Sequence, residues 1–113
     1  MLQKKVKKND LTIFEDVILI ITEMALTELD GVTISSKLIK GGLLEKLQKK
    51  KCIKVVSVDD KLTIHLKVAI VYGTKNIETI IKLQRLIKKH VELFTGFPVL
   101  DVHVIIDQVI TEA

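Results

Sequence analysis

IKVVSVDDKLTIHLKVAIVYG, residues 53–73, is the stretch on which the fold turns. Ile53 to Val58 reads as one strand and Lys61 to Tyr72 as a second, longer one, with Leu62, Ile64, Leu66, Val68, Ile70 and Tyr72 on a single face. Only Asp59 and Asp60 separate them, and Asp tolerates the backbone angles of a tight turn. Strands joined by so short a turn are antiparallel. Tyr72, the single tyrosine, is expected to end the inward register with its ring under a helix and its hydroxyl at the wet edge, and Gly73 lets the chain leave the sheet sharply.

Downstream, Asn76 is placed to cap a helix whose apolar stripe contains Ile77, Ile80, Ile81, Ile87, Val91 and Phe94. Glu78, Lys82, Arg85, Lys89 and Glu92 occupy its wet side. Gly96 ends that helix, Pro98 prevents its resumption, and a last strand runs from Val99 to about Asp107 with Leu100, Val102, Val104 and Ile106 inward. Upstream, residues 1–10 form a basic tail expected to fray. Leu11 to Phe14 alternate as a short strand, and Asp16 caps a helix through about Leu29. In that helix Val17, Ile20, Ile21, Met24 and Ala25 share a stripe opposite Glu23, Thr27 and Asp30, and Gly31 supplies the stop. Residues 33–52 give a poor signal, a connection with partial helix around Ser35-Ser36 and Leu43, Leu44 and Leu47, interrupted at Gly41-Gly42.

The expected order is β-α-β-β-α-β in a single domain over residues 11–113. That order suits an α+β two-layer sandwich, two helices on one face of a four-stranded mainly antiparallel sheet.

Composition bounds the function. A chain of 113 residues buries roughly two-thirds of the surface its unfolded form exposes, enough for one core without a metal or disulfide. The longest aliphatic run, Val17 to Ile21, is far short of the roughly 20 residues that span a bilayer, and no apolar segment follows the basic start as a secretion signal requires. A cytoplasmic protein is expected. Cys52 is a lone thiol without a neighbouring histidine in sequence and is assigned no role. Of the 18 basic residues only Arg85 is arginine, the side chain whose planar fork reads phosphates and bases. The net charge of +4 therefore speaks only weakly for nucleic acid.

Two segments carry a resemblance. LTIFEDVILIITEMALTELDGV (11–32) resembles the opening of the alkaline-shock protein family of envelope-stress proteins, and VAIVYGTKNIETIIKLQRLIKKHVELFTGFPVLDVHVIID (68–107) resembles its most recognisable stretch. There a strand ends in Tyr-Gly (Tyr72, Gly73), a helix carries a Gln near its middle (Gln84), Thr-Gly (Thr95, Gly96) closes it, and a Val-x-Val strand follows. The resemblance implies a bacterial interaction or adaptor module with no established enzymatic chemistry. It is expected near the cell envelope through a membrane-anchored partner, or beside a kinase subunit that phosphorylates fatty acids. Asp10 departs from the Gly with which the family often begins its first strand.

Candidate sites are few. His65 and His103 fall on the outward register of their strands, where, if those strands pair, they and Asp101 or Asp107 could share one face as a minimal divalent-metal site. His90 belongs to a lysine-rich helix surface. Turn chemistry explains Asp59-Asp60, and Gly41-Gly42 lacks the following Lys-Ser/Thr of a phosphate loop. No catalytic constellation, metal site or cofactor is assigned. The element order is also that of a common RNA-recognition module, but the open face offers Thr63, His65, Lys67, Ala69 and Val71, with no phenyl or indole for base stacking. A weak, sequence-independent nucleic-acid contact through a basic patch of Lys46, Lys49, Lys50, Lys51 and Lys54 is the alternative function. Ala69, Val71 and Ile105 are apolar on a side expected to be wet, which points to a protein interface, most simply that of a two-fold homodimer.

Overall fold

A computed structural model describes residues 7–34, 49–73 and 76–111, apart from the side chains of Lys8, Asn9 and Asn76. The expected cap by the Asn76 side chain, Lys46 of the basic patch, and the readings at residues 35–48 lie outside them. The elements run α1 (Lys8–Thr27), β1 (Val32–Ile34), β2 (Ile53–Val58), β3 (Lys61–Val71), α2 (Asn76–Thr95) and β4 (Val99–Ile110). The class is α+β, with helices against one face of a four-stranded, mostly antiparallel sheet.

The hairpin forms as its sequence dictates. Asp59 and Asp60 both take positive φ, 52° and 60°, the two-residue turn whose twist matches that of the flanking strands. β2 pairs antiparallel with β3 from Ile53 opposite Leu66 to Val58 opposite Lys61. β1 pairs antiparallel with the far end of β3, Val32 opposite Ile70. β4 pairs parallel with β3 from Leu62 to Val71. A strand has two edges, so β1 and β2 lie end to end along one edge of β3 and β4 runs along the other. α2 is the crossover that parallel pairing requires.

Leu62, Ile64, Leu66 and Val68 of β3 are fully buried, each contributing about 1.5–3 kcal/mol relative to an exposed position. Ile18 of α1 and Leu83, Ile87 and Val91 of α2 meet them from the helical layer. Phe14 and Phe97 close one end of that layer with ring centroids 5.7 Å apart.

The first element differs from expectation. Leu11 to Phe14 are helical, and the first strand follows α1 instead of preceding it. Leu11, Phe14, Ile18, Ile21, Ala25 and Leu29 recur at steps of three and four, so one helical period runs through the segment and overrides a four-residue alternation. Asp10, three residues from Lys7, accepts the Lys7 backbone N–H at 3.0 Å and starts the helix. Asp16 lies inside α1 and pairs with Lys50 at 2.9 Å.

The buried stripes also sit differently. In α1 Ile20 and Met24 are exposed, and Ile18 and Thr22 are inward. In α2 Leu83, Ile87 and Val91, four residues apart, form the buried row, whereas Ile77, Ile81 and Phe94 face out. β4 extends to Ile110 and is bulged twice, at Leu100 and at Asp107, where the register against β3 shifts. The first bulge buries Val99 and turns Leu100 outward; the second returns Val109 to the inner register beside Ile70. Val102 and Val104 point inward as expected, but Ile106, also on the inner register, remains exposed.

Candidate functional site

The residues that carried the resemblance divide into structural and exposed. Gly73 and Gly96 have φ of 90° and 75°, conformations that β-carbons disfavour. Thr95 Oγ1 donates to Val91 O at 2.7 Å and accepts from Phe97 N–H at 3.2 Å, while Gly96 N–H bonds Glu92 O at 3.0 Å. Thr95-Gly96 is thus the stop of α2. The Gln84 side chain donates to Val102 O at 2.9 Å and ties the crossover helix to β4. Tyr72 is the exception. It lies one residue beyond β3 with its side chain 75% exposed, so the expected inward ring is corrected: past Val71 the chain turns and the alternation no longer applies.

Tyr72 is fastened by its backbone, whose N–H donates to Ile110 O at 2.8 Å. On the outer face Ile110 lies opposite Val71 and Ile105 opposite Lys67; Ile106 and Val109 lie on the inner register of the same strand. Ile105, Ile106, Val109 and Ile110 are all exposed. Val71 is half-buried, and Ala69 is only 2% exposed, enclosed on the central strand between Thr33 and Gln108. Of the expected trio, Ala69 is enclosed while Val71 and Ile105 stay accessible; Tyr72 is exposed beyond Val71, as are Val109 on the inner register and Ile110 on the outer. The last two escaped the sequence reading because the strand was ended at Asp107.

His65 and His103 are direct partners in the parallel register, and their rings stack with centroids 4.9 Å apart and planes 16° apart. Asp101 sits opposite Thr63 on the same face, and Lys54 sits opposite His65 from β2. Among the described residues no three His, Cys, Asp or Glu side chains converge as metal ligands. Cys52 is buried.

The described lysines of the basic patch divide between ion-paired and exposed. Lys49 pairs with Glu23 at 3.6 Å and Lys50 with Asp16 at 2.9 Å, both across to α1. The Asp16 contact raises the Lys50 pKa above its usual value. Lys51 is exposed, and Lys54 faces out beside His65 on the open sheet. Among the described residues no helix is long and apolar enough to cross a membrane.

A family model described as alkaline shock protein 23 family, cell envelope-related function, matches residues 3–111, nearly the whole chain. No curated protein and no solved structure matches it.

Proposed function

We propose that this chain, which belongs to the alkaline shock protein 23 family and so to a family of cell envelope-related function, is a non-catalytic adaptor that docks a protein partner on the end of its sheet. The observation that carries this reading is the exposed Tyr72, whose backbone N–H is tied to Ile110 O at the end of β4, with Ile105, Ile106, Val109 and Ile110 exposed along that strand. An exposed aromatic residue together with exposed aliphatic ones is the composition of an interface anchor. β4 is apolar on both faces there, which suits an extended segment of the partner laid along it. A membrane-anchored protein or a fatty-acid kinase subunit is the partner class that the family resemblance favours, and either would bring the adaptor to the envelope.

The test is a pull-down of tagged protein from native lysate, with and without nuclease, comparing wild type with Ile105→Lys/Ile110→Lys and with a photo-crosslinker in place of Tyr72. An envelope or kinase component that crosslinks at position 72, survives nuclease and is lost in the double variant supports the adaptor. Recovery dominated by nucleic-acid-bound proteins and lost on nuclease sinks it. That result would favour a weak nucleic-acid contact, for which the stacked His65 and His103 beside Lys54 are the supporting observation.

A further inference from the structure

α1 carries a second apolar stripe, separate from the buried one. Ile13, Ile20 and Met24 are 59%, 60% and 65% exposed, with half-buried Val17 between them. Steps of four, three and four put these residues on one face, the spacing at which helices pack lengthwise. At its N-terminal half the stripe opens into a groove of about 640 Å³ between α1 and the end of α2, lined by Ile13, Phe14, Val17, Phe94 and Phe97 among others.

Most of the charge at the ends of α1 runs against its dipole. Lys7 stands at its N-cap and Lys8 follows, with Asp10 the acid of the first turn, and Glu28 and Asp30 follow its last residue, although the positive pole at a helix N-terminus favours acids and the negative pole favours bases. A second, antiparallel α1 reverses that mismatch.

We propose that two copies of this chain associate across a two-fold axis through α1, antiparallel, with Val17 facing Ile20 and Ile13 facing Met24 of the other copy. This register brings Lys7 beside Glu28 and Asp30 of the second chain and opposes the two helix dipoles. It also seats Met24 of the second copy at the groove beside Phe94, where a flexible thioether suits an aromatic wall. An anionic membrane is a poorer occupant. Asp16 and Glu23 border the stripe, paired with Lys50 and Lys49, and Asp10 and Glu28 border it on the other side, so beyond the lysines at the start of α1 the length of the stripe offers little net positive charge to headgroups. The surface belongs to a different element from the docking site on β4, so either can fail without the other.

Sedimentation equilibrium of the full chain over a concentration series reads the proposal directly. Wild type is expected to approach twice 12.7 kDa, and Ile20→Glu and Met24→Glu, both at exposed positions, to stay at 12.7 kDa with unchanged circular dichroism. Lys7→Glu alone and Glu28→Lys alone are each expected to weaken association by about tenfold, and the two combined in one chain to restore it. Each single reversal agrees better with the helix dipole, so a purely local effect would leave association unchanged and stabilise the monomer. A monomeric wild type, a dimer that survives Ile20→Glu, or no recovery in the double reversal overturns the proposal. So does a monomer that sediments with phosphatidylglycerol vesicles and loses that binding on Ile20→Glu.

Discussion

Thr22 shows what one misfit residue costs. Its side chain is fully buried in the middle of α1, and its hydroxyl has no hydrogen-bond partner among the described residues. An unsatisfied buried hydroxyl costs roughly 1–3 kcal/mol, and valine has nearly the same shape without it. Thr22→Val is therefore expected to stabilise the fold by about 1 kcal/mol, seen as a melting point higher by about 4–8 °C in a thermal scan. Gly96 gives the opposite sign. None of the described residues comes within 4 Å of where an alanine β-carbon would lie, so at φ 75° the cost of Gly96→Ala is all backbone, about 1–2 kcal/mol, readable as a lower urea midpoint with an unchanged slope. The sequence marked Gly96 as a helix stop from its place before Pro98. It could not mark Thr22 as an orphan, because whether a hydroxyl finds a partner depends on what packs over it.

At the scale of elements, the crossover from α2 into β4 is held by side chains at both ends. Gln84 bonds Val102 O, and the half-buried Glu92 carboxylate accepts the Val99 backbone N–H at 2.8 Å, fixing where β4 starts. Glu92→Ala removes a charge-assisted bond to a strand's first amide and is expected to cost about 1.5–3 kcal/mol before solvent compensates, while Glu92→Gln keeps an acceptor and costs less. Chemical denaturation of the two variants side by side checks the order. In the sequence Glu92 reads as one charge of a wet face, and its spacing gives no sign that it reaches the next strand. The two stripes of α1 show the same limit: Val17, Ile20, Ile21, Met24 and Ala25 cover two adjacent helical faces, and periodicity alone does not say which one meets the sheet.

For the whole molecule, β3 is the centre. It pairs with β1 and β2 on one edge and β4 on the other, and it supplies the fully buried Leu62, Ile64, Leu66 and Val68. Native-state hydrogen exchange is expected to be slowest at the amides of residues 62–70 and clearly faster at 105–110, where β4 is bulged and its side chains are exposed. Equal protection of the two would mean that the outer strand is covered in solution, which the docking site on β4, and not the surface on α1, predicts for the assembled state.

The sequence by itself determined the β2–β3 hairpin, the second helix with its stop at Gly96, a strand beginning at Val99, and the α+β class, because tight turns, caps and period-two alternation are local signals. It also carried the family resemblance that the match over residues 3–111 bears out. Only the tertiary structure decided that Leu11 to Phe14 join a helix, that β4 lies parallel to β3 with two bulges, and that Tyr72 faces water while Ala69 does not. Those outcomes follow from which elements compete for the face and edges of β3, a contest between residues far apart in the chain that no local pattern records.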